Sequence, residues 1–464
     1  MTTINFNPAM PRQSGTMINA ARAPAELSVP RYTSYPTAPE FCSAVGAPDY
    51  AGWLSALPGH AKLSLYIHVP YCAQLCRYCG CHTKAVRRRE PIEAYAACLD
   101  DEIALVGARV SGGEVEHLHW GGGTPSILGA HRIVQLFARL NDFFNIASHF
   151  EHAIELDPRY MSRDLARALA SIGVGRASFG VQDFNGNIQQ AIGRIQAFEV
   201  VERAVVELRE YGVDRINLDL MYGLPGQTID DIRRSIALAV SLQPQRLAYF
   251  GYAHVPWLRA HQRLIDESLL PDAPARLEQA NAAYETLVSL GYIPIGLDHF
   301  ARPDDELAVA ARHGRLHRNF QGYTTDQADA LIGLGASAIG RFPQGFVQNA
   351  PDIGGYARAI ASGQLATARG IVLSPEDRLR ANIIERIMCD FSVDLNDLPD
   401  HDVDVRGDFD AELAAVMPLA REELVLLDGK RITVTEKGRP FVRLVAAAFD
   451  AYLAKARARH SAAV

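Results

Sequence analysis

No apolar run in this chain reaches the roughly 18 residues needed to cross a bilayer. The first residues, MTTINFNPAMPRQSG, hold no apolar core of a signal peptide. A cytoplasmic protein without a membrane partner is therefore expected. Charge of one sign is also scarce: the formal net charge is −7 over 464 residues, so no extended nucleic-acid footprint is expected. The short basic stretch at 455–459 reads as a solvated helix end. The loop at 223–228 lacks the lysine of a phosphate-binding P-loop. The glycines at 333–340 have the wrong spacing for a dinucleotide fingerprint and no acidic residue follows at the right distance. Cysteines are few, seven in all, and cytosolic thiols stay reduced, so disulfides are not expected. Cys42, Cys98 and Cys389 are scattered and read as buried small residues.

The other four cysteines fall within the ten residues 72–81. Around them runs Tyr66-Ile-His-Val-Pro-Tyr-Cys72-Ala-Gln-Leu-Cys76-Arg-Tyr-Cys79-Gly-Cys81. The run 65–69 is β-branched and aromatic and reads as a strand that Pro70 ends. An amphipathic stretch, 91–110, reads as the helix that follows. The first three cysteines are spaced C-x3-C-x2-C. Three thiolates can hold a cubane iron–sulfur cluster and leave one iron without a protein ligand, whereas most such clusters take four. A structural zinc site is the plainer alternative, but it pairs two short hairpins and no second pair lies downstream. A zinc enzyme would need a histidine or carboxylate to complete the set. His68 and His82 are near in sequence, yet His68 reads as an inward barrel side chain and His82 as a loop residue.

Composition, 48% hydrophobic and 21% charged, is that of a globular chain with a large core. Strand-like runs at 65–69, 115–120, 149–156, 176–181, 215–221, 246–252 and 292–297 alternate with helix-like stretches such as 164–172, 200–211 and 230–242. Alternation of this kind implies an α/β fold with a parallel sheet and right-handed crossovers. Six or seven units suit a partial (βα)6-type barrel, whose site collects at the C-terminal strand ends. Nearly every strand runs into a polar or glycine-rich loop there. The expected organisation is an N-terminal arm over 1–60, the barrel over 61–300, a glycine-rich extension over 301–370, and a small, mainly helical C-terminal domain over 371–464. In that last domain Asp428-Gly429, between alternating apolar residues, signals a β-hairpin. Helix, hairpin, helix reads as winged-helix-like, and without a basic recognition face it reads as a lid or packing domain.

C-x3-C-x2-C in the loop after a first strand resembles the radical S-adenosylmethionine (SAM) enzymes. The added Cys81 narrows the resemblance to the oxygen-independent coproporphyrinogen III oxidases, and it runs from about residue 30 to about residue 453. It implies that Cys72, Cys76 and Cys79 hold a 4Fe–4S cluster whose open iron chelates SAM, while Cys81 serves catalysis without being a ligand. It places Tyr78 against the adenine and Gly122, Gly123 and Thr124 at the methionine amino group. Tyr66 and Glu155 fall on cofactor positions, as do Gln182, Arg194, Asp219 and Ala253, with Ile339 on a matching position further along. A second SAM molecule near the first is implied, with Gln182, Arg194 and Asp219 among its contacts. One departure is Gly193 where asparagine is expected before Arg194, which leaves the backbone there less fixed.

The segment 30–37 carries Arg31, Tyr32 and Tyr35. By itself it reads as an extended strap. The resemblance implies that it closes over the active site, with Arg31 and Tyr32 serving catalysis. Arg31 is a bidentate partner for a propionate and the tyrosines offer flat faces to a tetrapyrrole. The implied reaction converts two propionates of coproporphyrinogen III to vinyl groups, giving protoporphyrinogen IX. Its C–H bond is unactivated, so the cofactor must carry the chemistry, through a 5′-deoxyadenosyl radical. An electron donor and an electron acceptor are required partners, and a monomer is expected. The alternative is a haem-binding chaperone on the same barrel; such relatives generally lack the fourth cysteine and the tyrosine segment.

Overall fold

The computed structural model describes residues 27–398 and 409–453. The first part of the N-terminal arm and the basic stretch at 455–459 lie outside the described residues. Six strands follow one another with helices between them: β1 Lys62–Val69, β2 Glu114–Gly122, β3 Asn145–Leu156, β4 Arg176–Gln182, β5 Arg215–Tyr222 and β6 Arg246–Gly251. Each pairs in parallel with the next. The periodicity of β1 explains the arrangement. Leu63, Leu65, Ile67 and Val69 are buried and share one core with Ala96, Leu99 and Ile103 of the helix Arg89–Gly107. The alternate residues Ser64, Tyr66 and His68 face the other way, into the barrel.

The run at 292–297 was expected to be another strand of the parallel series, and here the structure differs. It forms β7, Ile293–Ile295, which pairs antiparallel with β8, His299–Ala301, and β8 pairs antiparallel with β6. Pro294 and Gly296 keep the run short and let the chain turn back on itself. The seventh parallel strand comes instead from the glycine-rich segment: β9, Ala330–Leu334, pairs parallel with β1 on its free edge. Three antiparallel strands continue the sheet, β10 Ile339–Phe342, β11 Gly345–Asn349 and β12 Thr367–Val372. Much of the segment 301–370 is thus built into the barrel sheet. Gly335, just past β9, makes this possible: a methyl group there would stand 2.4 Å from the His68 carbonyl oxygen.

The barrel interior at the N-terminal strand ends is polar. Glu151 accepts from Arg176 at 2.9 Å and Asp305 accepts from Arg246 at 2.8 Å. Burial pushes Glu151 up, yet Arg176 and Arg246 hold it down to about 2. Another buried carboxylate, Glu102, ties the helix Arg89–Gly107 to the extension. It accepts from Gly335 N at 2.6 Å, Asn349 Nδ2 at 2.6 Å and Tyr356 Oη at 2.7 Å.

The C-terminal domain has its own core, with Ile383, Ile387, Val416, Leu419 and Val442. The expected hairpin is present, β14 Val425–Asp428 and β15 Arg431–Val434, turning at Gly429 with φ 57°, and β13, Ser392–Asp394, adds a third strand. Tyr32 and Tyr35 belong to this core. Tyr32 Oη donates to Asp450 at 3.0 Å, and Tyr35 Oη accepts from Ala451 N at 3.0 Å. The expectation that both tyrosine faces lie open to a tetrapyrrole does not hold in this structure, because an aromatic ring with a partner for its hydroxyl is more stable buried. Arg31 points the other way, its Nη2 3.3 Å from the Gly251 carbonyl at the end of β6. Of the scattered cysteines only Cys389 is buried; Cys98 is half-buried and Cys42 exposed. No helix among the described residues is long and apolar enough to cross a membrane.

Candidate active site

Pro70 ends β1 and releases the chain into the cysteine loop. Each of the first three sulfurs meets a hydrogen-bond donor. Cys72 Sγ takes Thr83 Oγ1 at 3.4 Å and Thr124 Oγ1 at 3.3 Å. Cys76 Sγ takes Arg194 Nη1 at 3.6 Å, and Cys79 Sγ takes the Cys81 backbone N–H at 3.4 Å. Donors of this kind favour thiolates. The Cys81 thiol beside Cys79 adds to the effect and holds the Cys79 thiol down to about 7. Cys72 is pushed up by burial, against the pull of Thr124 and Thr83.

A segment 180 residues further on grips the loop from outside. Gln262 Nε2 donates to Tyr78 O at 2.8 Å, Arg259 Nε donates to Gly80 O at 3.0 Å, and His261 Nε2 lies 2.7 Å from Cys79 O. The sequence gives no spacing signal for this clamp.

The glycines after β2 serve packing as well as access. A methyl group at Gly123 would stand 2.5 Å from both Tyr71 O and Thr83 Oγ1. Gly122, at φ 109°, leaves no room for one either, because the His68 ring stands 2.5 Å away. Without side chains here the end of β2 lies against the cysteine loop, with Gly123 N bonded to Val69 O and Thr124 N to Tyr71 O, each at 2.8 Å.

Facing these groups, Glu155 accepts from Gly122 N at 3.1 Å and lies 3.3 Å from His119 Nε2. Burial raises its pKa, and the His119 contact with other partners more than offsets this, so the carboxylate stays ionised. Tyr66 stacks on His119 and bonds to His68 Nδ1 at 3.0 Å. Burial brings His68 down to about 4 and keeps it neutral. Asp219 is pushed up to about 7 by burial and the Glu155 charge; Asn217 Nδ2 is bonded to it at 2.8 Å. Gln182 adopts φ 72°, and its buried Oε1 meets no hydrogen-bond partner among the described residues. Ala253 follows β6, its carbonyl held by Gln262 Nε2 at 3.2 Å, and half-buried Ile339 opens β10.

Gly193 resolves the departure noted in the sequence. It is the left-handed cap, φ 68°, of the helix Gly186–Ile192, a position that glycine and asparagine both tolerate. Arg194 is then fixed by its N–H to Gln189 O at 2.8 Å, by Asp157 at 3.2 Å and by the Gly180 carbonyl. Asp157 also binds Arg159 through two oxygens. Neither Asp157 nor His119 stood out as a site residue in the sequence.

Three cysteine sulfurs with donors beside them offer the soft ligand set an iron–sulfur cluster takes. The orphaned Gln182 oxygen and the raised Asp219 carboxyl leave polar groups for a ligand such as SAM.

Comparison with known proteins agrees with this geometry. The radical SAM superfamily model matches residues 66–239, and the HemN C-terminal domain model matches residues 373–441. An oxygen-independent coproporphyrinogen III oxidase from Bradyrhizobium diazoefficiens is 50% identical, covering 95% of this chain and 98% of that one. One from Paracoccus denitrificans is 44% identical, over 95% and 97%. The solved coproporphyrinogen III oxidase of Escherichia coli, described as a radical SAM enzyme, superposes with a TM-score of 0.85 at 39% identity, over 91% of this chain and 98% of that one.

Proposed function

Given that the chain belongs to the radical SAM superfamily and, within it, to the oxygen-independent coproporphyrinogen III oxidases, we propose that it converts two propionate side chains of coproporphyrinogen III to vinyl groups. Each event removes one hydrogen atom from the carbon next to the macrocycle, one carbon dioxide and one electron. An acceptor takes that electron, and a separate donor supplies the one that starts the event. When bound, the 4Fe–4S cluster and SAM supply the radical that takes the hydrogen atom.

The residues of this chain hold, orient and exclude water. Cys72, Cys76 and Cys79 are the cluster ligands, and Thr83, Thr124 and Arg194 donate to two of the three sulfurs. Cys81 stays off the metal and steadies Cys79. Gly122, Gly123 and Thr124 let the methionine amino group of SAM approach backbone C=O groups, with Tyr78 against the adenine. Gln182, Arg194 and Asp219 are contacts for a second SAM, and Tyr66, Glu155, Ala253 and Ile339 are cofactor positions beside them. Arg31 stands at the end of β6 as a partner for substrate carboxylate, while Tyr32 anchors the segment that carries it.

The observation that carries this reading is the three-plus-one cysteine loop, lying against the glycine end of β2 in a chain 50% identical to such an oxidase over 95% of its length. The test is anaerobic reconstitution, followed by iron and sulfide content and chromatography of the porphyrin products. Vinyl products that need SAM and reductant, and that air abolishes, are expected. Cluster assembly and SAM cleavage without any vinyl product would leave the superfamily and remove this reaction.

A further inference from the structure

A cavity of about 120 Å³ opens between the end of β6, the helix Ala273–Ser289 and the C-terminal domain. Five guanidinium groups line it, those of Arg31, Arg276, Arg318, Arg439 and Arg443, against two carboxylates, Asp298 and Glu436. Both carboxylates are engaged, Asp298 by His299 at 2.7 Å and Glu436 by Arg439 at 3.2 Å. Backbone carbonyls hold several of the arginines: Arg276 Nη1 donates to Tyr252 O at 2.9 Å, and Arg318 Nε to Tyr32 O at 3.2 Å. Yet Nη1 of Arg318 and Nη1 of Arg439 are buried without a hydrogen-bond partner among the described residues. Arg443 is buried beside Arg31, and both effects hold its pKa down to about 10.

Five guanidinium groups gathered around one cavity, against two engaged carboxylates, leave a local excess of positive charge that an anion offsets. The fixed fork of a guanidinium suits a carboxylate. Size narrows the choice further, since a 150 Å³ cavity holds about one benzene. This one takes the end of a side chain and not a macrocycle. Tyr222, Tyr249 and Phe250 supply apolar wall for methylene groups. Ala253 lines the same cavity, so it adjoins the SAM site. Pairing with arginine stabilises a carboxylate relative to neutral carbon dioxide, which opposes decarboxylation. The group held here is therefore one that survives the event.

We propose that this arginine cavity binds the carboxylate of a propionate that is not reacting and thereby presents another propionate to the cofactor. The inference rests on the proposed reaction. No single lining residue makes the site; the cavity joins the N-terminal segment, the barrel and the C-terminal domain around one ligand group.

The test uses mesoporphyrin IX, a stable porphyrin with two propionates, and its dimethyl ester. Affinity for the cluster-loaded, full-length protein is read by tryptophan quenching. The ester is expected to bind at least tenfold more weakly than the acid. Arg276→Gln and Arg439→Gln should each weaken the acid at least tenfold and leave the ester within twofold, and raised salt should act on the acid alone. Equal binding of acid and ester to the unaltered protein would overturn the proposal without any variant, as would both variants binding the acid within twofold of the parent. Vinyl product formation by the unaltered protein is scored separately. Its presence beside equal acid and ester binding removes the cavity alone, and its absence beside carboxylate-dependent binding removes the reaction alone.

Discussion

The guanidinium of Arg194 stands 3.6 Å from the sulfur of Cys76, 118 residues earlier in the chain. The same group lies 3.2 Å from Asp157, at the end of β3. One cation thus links the cysteine loop to the strand ends. Arg194→Gln removes the cation that donates to the Cys76 sulfur. SAM cleavage should slow at least about tenfold, a rise of about 1.4 kcal/mol in the barrier. Arg194→Lys, which keeps the charge and loses the fork, should recover part of it. Release of 5′-deoxyadenosine measures both.

The cysteines should divide three against one. Serine at Cys72, Cys76 or Cys79 is expected to abolish cluster assembly. Cys81→Ser should keep a cluster and lose decarboxylation. Iron and sulfide per chain, with the absorption spectrum, decide it. A cluster that survived Cys79→Ser and vanished with Cys81→Ser would reverse the ligand assignment.

Gly123→Ala places a methyl group 2.5 Å from the Tyr71 carbonyl oxygen and the Thr83 hydroxyl. The carbonyl is backbone and cannot swing aside, so the strand end must move away from Cys72. A cost of about 1–3 kcal/mol is expected from such overpacking. Reconstituted iron content should drop with it, whereas Gly175→Ala, where no atom lies within 4 Å of the added carbon, should leave iron content as it was.

Tyr32→Phe tests the strap. The hydroxyl donates to the buried Asp450 carboxylate at 3.0 Å, and losing a bond to a charged group costs about 2 kcal/mol. Thermal denaturation should begin earlier in the C-terminal domain, with cluster content unchanged. Removal of residues 1–38 is expected to do the same more severely, because Val29, Tyr32 and Tyr35 are part of that core. Point substitution therefore separates anchoring from chemistry better than truncation.

Glu102 gives a pH dependence. Burial raises its pKa to about 7 although Tyr356, Gly335 and Asn349 all donate to it. The folded chain therefore keeps a proton that the unfolded chain loses near pH 4.5. The associated stability is full below about pH 4.5 and is lost as pH rises through about 7. It amounts to on the order of 3 kcal/mol. Melting temperature should fall between pH 5 and pH 8, and Glu102→Gln should flatten that slope. An equal slope in the variant would assign the pH dependence to other groups.

Much of the barrel was legible because its signals are local. Alternation in β1 and the helical period of the stretch after the cysteine loop each state a buried face within a few residues. The hairpin at Asp428-Gly429 follows from a turn that needs a left-handed residue. The run at 292–297 misled for a related reason. A short apolar run states that it is buried, not which edge of a sheet it joins or in which direction.

The cysteine spacing by itself marked the candidate ligand loop, and the glycines after β2 marked where the strand end lies against it. Both are properties of a few consecutive residues. Tertiary structure alone decided that β9 closes against β1, that loop 259–262 clamps the cysteines, and that Arg194 meets Cys76. It also turned Tyr32 into the C-terminal core and brought five arginines from four separate stretches around one cavity. These pairings join residues tens to hundreds of positions apart. Their energy depends on distance and burial in three dimensions, quantities that no local pattern of residues records.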